Sequence, residues 1–154
     1  MEGHRNAEPF AYDPKNIDAV IITHSHLDHI GRLPQLIGAG FRGKIFATPP
    51  CIDFTRLILE DSVRVLEEKA RHAGVVPLFS QSEVDEVMRQ FVAIDYYKKT
   101  QAAEDINFTF HDAGHILGSA IVEVTAGGPS GQASKKIVFS GDLGHPPAPL
   151  LRAP

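Results

Sequence analysis

A chain of 154 residues with 43% hydrophobic and 22% charged content fits one globular domain, able to bury roughly 70% of its unfolded surface. No apolar run approaches the ~20 residues of a bilayer span, and "MEGHRNAEPF" has no apolar stretch of the kind a secretory signal carries. The net charge of −4 lacks the basic excess of a free-standing nucleic-acid binder, and a single cysteine, Cys51, excludes an internal disulfide framework and fits a reducing cytoplasm.

"NIDAVIITH" (16–24) is apolar and β-branched, and predicts a buried strand. "HIGRLPQLIGAG" predicts a short helix or helical turn with apolar Ile30, Leu33, Leu36 and Ile37, stopped by Gly38 and Gly40. "GKIFAT" (43–48) is a second strand. Thr48, Pro49 and Pro50 then start the longest helix, since prolines suit positions whose amide hydrogens have no partner. Its apolar side is read as Ile52, Leu57, Ile58, Val63, Val65 and Leu66, and Gly74 ends it. Ser80 and Glu83 form a capping box for the next helix, with Phe79 placed to pack on Val84. "FVAID" (91–95), "INFTFHDA" (106–113), "SAIVEV" (119–124) and "KIVFSG" (136–141) are predicted strands, and "AGGPSGQASKK" a hairpin connection. Strands alternating first with helices and then with each other imply a layered α/β domain.

The chemistry is concentrated in "THSHLDHIGRLP" (23–34), which holds three of the chain's 8 histidines. His24 and His26 are two apart, so extended chain projects both to one side. Asp28 and His29 stand where the chain turns, and can face the same space from another direction. Imidazole nitrogen and carboxylate oxygen both ligate zinc at about 2.0–2.2 Å, so the segment can feed two neighbouring metal ions, one through His24 and His26, the other through Asp28 and His29. His115 in "HDAGHILGSA" lies beside Gly114 at a strand-to-strand turn, and Asp142 in "FSGDLGH" ends a strand between Gly141 and Gly144. A carboxylate so held can bridge two metals about 3.5–4 Å apart. Alone, His115 also reads as an ordinary hydrogen-bonded histidine and the Gly-Asp pair as a turn; the first cluster gives them weight.

Together, "HSHLDH", the "GH" at His115 and the "SGD" at Asp142 resemble three motifs of the metallo-β-lactamase superfamily. "THSHLDHIGRLPQL", "TPPCIDFTRLILEDS", "FHDAGHILGSA" and "FSGDLG" are similar to its β-CASP branch, the RNA-processing nucleases that include the endonuclease of messenger RNA 3′-end cleavage. The resemblance implies an αββα sandwich with His24, His26 and His115 on one zinc ion, Asp28 and His29 on a second, and Asp142 bridging. It implies a metal-dependent hydrolase in which hydroxide supplied by the two zinc ions attacks a phosphodiester of single-stranded RNA, or less expectedly of DNA. Asp28 and Asp142 would orient the attacking water.

The branch begins with a strand pair and an aspartate motif that have no counterpart here, and its cassette follows the fourth motif, where this chain reads "PPAPLLRAP". Residues 1–154 are therefore expected to be a partial metallo-β-lactamase domain ending where the β-CASP cassette would enter. The second metal set would lack its last histidine, giving about one zinc per chain and doubtful activity in isolation. Rival readings are a transfer-RNA 3′ nuclease, a thioesterase-like hydrolase of the same superfamily, and a non-catalytic scaffold subunit of an RNA-processing complex. The retention of every ligand expected in this stretch argues against the last. His111 and Asp112 are read either as groups orienting the ligands or as surface polar residues, and His145, His4 and His72 as loop or surface residues. Cys51 is read as a small buried side chain. Ser119 and Ser140 have no base beside them to support nucleophilic chemistry.

Overall fold

The computed structural model describes residues 5–127, 134–145 and 150–151; the centre of the predicted 126–136 connection, His4 and most of "PPAPLLRAP" lie outside them. Two sheets stack. The first is parallel, in the order β1 (Ala19–Ile21), β2 (Lys44–Ala47), β3 (Phe91–Ala93). The second is antiparallel: β4 (Thr100–Ala103), β5 (Ile106–Asp112), β6 (Ala120–Ala126) and β7 (Lys135–Phe139).

Side-chain alternation explains the layers. Val20, Ile45, Ala47 and Phe91 join the core beneath the helices, whereas Ala19, Ile21, Phe46 and Val92 join Phe108, Phe110 and Val122 between the sheets. Strands buried on both faces need continuous apolar sequence, which is what "AVI" and the "IFA" of β2 supply. The helical layer comprises α1 (Leu27–Ile30), α2 (Leu33–Gly38), α3 (Pro49–Ala73) and α4 (Gln81–Gln90). Neither apolar cluster extends to the other face of the four-stranded sheet among the described residues. The mixed α/β class is as expected from the sequence.

Several elements differ in detail. The short helix or helical turn predicted over 29–40 is a six-residue helix preceded by a separate one-turn helix, because Pro34 has no amide hydrogen to give Ile30 and instead suits the start of a new turn. The inward side of α3 is Cys51, Thr55, Leu59, Val63 and Ala70; Leu57 and Val65, assigned to it from sequence, are 61% and 41% exposed. Small side chains at Cys51 and Thr55 let the helix start approach the sheet closely, while Ile52, Ile58 and Leu66 pack along the flank. Strand β4, "TQAA", was not predicted; it is turned into β5 by Asp105 in the left-handed region at φ 57°. The amide of Ser80 donates to Glu83 Oε2 at 2.7 Å, and Phe79 and Val84 are both buried in the helical core, as the capping box required.

β7 is the outer strand of its sheet, and Ile137, Val138 and Phe139 are each more than half exposed. Thr23 beyond β1 meets Gly141 beyond β7, so among the described residues the end strands of the two sheets lie on the same side.

Candidate metal centre

The site forms where strand ends of both sheets meet. Past β1, the amide of Ile22 still pairs with Phe46 O at 2.9 Å; the Thr23 carbonyl then accepts from Ala120 N of the other sheet at 2.7 Å. This crossing of sheets buries His24 completely. His26 keeps extended backbone (φ −63°, ψ 147°) and starts α1, its carbonyl accepting from His29 N at 2.9 Å and Ile30 N at 3.1 Å. That one-turn helix brings the His29 ring back to 4.0 Å from the His24 ring, with the largely exposed Asp28 beside His29. His115 arrives on the loop between β5 and β6, and Asp142 just after β7.

His24 Nε2 lies 3.1 Å from His26 Nδ1, which lies 3.2 Å from His115 Nε2. Asp142 Oδ2 is 3.6 Å from both His24 Nε2 and His115 Nε2. All four atoms lie within 4.8 Å of one another, a group that could hold a metal ion. Four ligands around a tetrahedral zinc at about 2.05 Å would be ~3.3 Å apart, close to the 3.1–3.6 Å between neighbouring atoms of this group. The other oxygen, Asp142 Oδ1, is 3.7 Å from His29 Nε2, which is in turn 3.6 Å from Asp28 Oδ2. Asp142 thus stands between the three histidines and the Asp28–His29 pair.

Protonation favours the same chemistry. Burial, then the neighbouring His29, pulls the His24 imidazole down to about 4, against the partial opposition of Asp142. Neutral at pH 7, it keeps one ring lone pair, and its Nδ1 lies 3.1 Å from Thr23 Oγ1; a proton donated there would leave Nε2 the acceptor. The sign for folding follows. Between pH 6.5 and about 4 the unfolded chain binds a proton that folded His24 refuses, so metal-free stability falls as pH drops through that window. The expected loss between pH 7.5 and pH 5 is about 2 kcal/mol, read from urea unfolding in the presence of chelator. A flat profile would contradict the burial argument.

Of the remaining candidates, Asp112 Oδ1 accepts from Gly114 N at 2.9 Å and so shapes the His115 loop. His111 points elsewhere, edge-on to Tyr97 with ring centroids 5.6 Å apart and 3.9 Å from Glu123. His72 and His145 are exposed. Cys51 is buried, which pushes its thiol up to about 11 and leaves it inert. Ser119 is no nucleophile; its Oγ accepts from His115 N at 3.1 Å and Ile116 N at 3.2 Å. Sequence reasoning missed Thr23, Thr48 and Tyr96, whose contacts around the site join segments distant in the chain or hang on a single ring atom.

A family model described as "Metallo-beta-lactamase superfamily domain" matches residues 5–147. Ribonuclease TTHA0252 of Thermus thermophilus is 35% identical over 153 residues, covering 99% of this chain and 32% of that protein. Transcription termination factor FttA of Thermococcus kodakarensis is 37% identical over 151 residues, covering 96% of this chain and 22% of that protein. The chain therefore spans a third or less of the length of these relatives. Among solved structures, MEM-A1, a subclass B3 metallo-β-lactamase from a soil metagenome library, superposes with a TM-score of 0.53 at 14% identity, over 84% of this chain and 43% of that one. A second B3 metallo-β-lactamase, one with an active-site glutamic acid, gives a TM-score of 0.51 at 18% identity, over 90% and 49% of the two chains. At such identities the likeness is one of fold. Fold, spacing of the converging histidines and carboxylate, and family match agree: the chain belongs to the metallo-β-lactamase superfamily.

Proposed function

We propose that this chain carries the metal-binding core of a β-CASP ribonuclease, a zinc-dependent phosphodiesterase acting on single-stranded RNA in the cytoplasm. The observation that carries the reading is the placement of Asp142, with Oδ2 toward three imidazoles and Oδ1 toward His29. In this assignment His24, His26 and His115 hold one zinc, Asp28 and His29 contribute to a second, and Asp142 serves both. Two zinc ions, when bound, supply an acidified water and positive charge against the phosphoryl oxygens. The chain's own part is to keep His24 neutral by burial, and to orient the attacking water through the acceptor oxygens of Asp28 and Asp142. RNA as substrate is supported by the names of the relatives, one a ribonuclease and one a transcription termination factor. Residues 1–154 are assigned to a metallo-β-lactamase domain whose second metal set takes a further ligand from outside this stretch.

The test is metal analysis of the purified chain beside a version extended to the length of the relatives, with both assayed on fluorescent single-stranded RNA. About one zinc is expected for the chain and two for the extended form, by ligand counting. Chelation should abolish RNA cleavage by the extended form, and zinc should restore it. Cleavage that survives chelation, or equal zinc content in both forms, would refute the assignment.

A further inference from the structure

The segment from Ala113 to Ser119 that carries His115 contains two glycines at positive φ, Gly114 at 62° and Gly118 at 84°. A loop of that composition has many conformations open to it unless its neighbours select one. Two hydroxyl groups from outside the loop make that selection.

The first is Thr48, at the start of α3. A threonine in this place ordinarily accepts a hydrogen bond from one of the first helical amides. Pro49 and Pro50 take two of those amides away, and the Thr48 side chain makes no capping bond. Its hydroxyl donates instead to the Gly118 carbonyl at 2.6 Å, in a buried setting. The approach is close: a Cβ on Gly118 would lie 2.7 Å from Cys51 N and 2.9 Å from both Pro50 Cβ and Thr48 Oγ1. The second is Tyr96, whose hydroxyl donates to the Ser119 carbonyl at 2.8 Å. Burial, then the charge of Asp112, pushes that phenol up to about 12, so it remains a donor at any working pH. Ser119 closes the arrangement, its side chain accepting the amides of His115 and Ile116.

We propose that Thr48, Tyr96 and Ser119 are positioning residues that set His115 against His24 and His26, and so determine metal affinity without touching the metal. The inference rests on the reading of those three histidines as ligands. Its physical basis is the narrow tolerance of a metal site, in which ligand distances must hold within about 0.2 Å. Groups that orient a ligand typically change affinity about 10–100-fold when removed.

The experiment measures zinc and cobalt(II) affinity of the purified chain by competition with a chelating dye, together with the cobalt absorption spectrum. Circular dichroism before metal addition reports the fold. Thr48→Val and Tyr96→Phe are each expected to weaken binding about tenfold or more and to alter the cobalt spectrum. Thr48→Ser, which keeps the hydroxyl, should restore both. His115→Ala serves as the reference for loss of the ligand itself. If His115→Ala loses affinity while Thr48→Val and Tyr96→Phe match the parent in affinity and spectrum, the positioning role is overturned and the ligand reading stands. If the parent binds neither metal, or His115→Ala binds as the parent does, the ligand reading falls and takes this inference with it. Should Thr48→Val fail to fold, Tyr96→Phe decides the matter, since its ring still fills the same space.

Discussion

Asp142→Ala should remove zinc from the chain while leaving its fold intact. The side chain is 48% exposed, so truncation creates no buried cavity, and its buried neighbour His24, 3.6 Å away, is neutral and keeps Thr23 Oγ1 as a partner. Substitutions of that kind usually change stability by no more than about 0.5 kcal/mol. The functional cost has a different origin. One carboxylate faces both proposed ligand sets, with Oδ2 at 3.6 Å from two histidines and Oδ1 at 3.7 Å from a third. Its loss therefore weakens both sets at once. Hydrolysis by a form extended to the length of the relatives should fall on the order of 10³-fold or more, the equivalent of several kcal/mol of transition-state stabilisation. Dye competition for zinc and RNA cleavage read the two effects, and urea unfolding reads the fold. His24→Ala would be a poorer test, because His24 is wholly buried and its truncation perturbs packing as well as ligation. Full zinc affinity in Asp142→Ala would exclude a bridging role.

A second large effect is expected from Gly144→Ala, although Gly144 contacts no metal. The Gly144 amide bonds to the Ala113 carbonyl at 2.8 Å, tying the loop after β7 to the loop after β5. A Cβ at this position would fall on the carbonyl of Gly114 and lie 2.8 Å from His115 N. These are backbone atoms, which cannot swing aside as a flexible side chain could. The two loops must separate, and with them Asp142 and His115. A stability loss of about 1–3 kcal/mol is expected, with a fall in zinc affinity beside it. Gly74→Ala is the useful comparison. There a Cβ meets nothing within 4 Å, and the cost is confined to a left-handed φ of 66°. It should lower the melting temperature modestly and leave zinc binding unchanged.

The site was more legible in the sequence than the fold. His24, His26, Asp28 and His29 lie within six positions, so their proximity is local and reads directly from spacing. His115 and Asp142 carried their own signal, glycines beside a ligand-type residue at a strand end. What sequence could not show is which long-range contacts hold these pieces together. Thr48 and Gly118 are 70 residues apart, and Tyr96 and Ser119 are 23 apart, and no periodicity links either pair. In the fold, strands with continuous apolar runs were found, while β4 was missed because "TQAA" offers neither β-branched alternation nor an apolar face. The inward side of α3 was misjudged for the opposite reason. The helix is apolar on more than one side, and the small residues Cys51 and Thr55 gave less signal than the outward Leu57 and Val65.

The free margins beside Thr23 and Gly141 bear on handling the molecule. A terminal strand exposes a row of amides and carbonyls, and among the described residues β7 is such a strand, its row adjoining the solvent-facing Ile137, Val138 and Phe139. Such a surface templates pairing with a neighbour's strand, with Lys135 and Lys136 as the charges at its head that oppose stacking. Concentrated preparations of residues 1–154 are expected to associate through β7, read by light scattering, and dilution or an added charge at position 138 should reverse it.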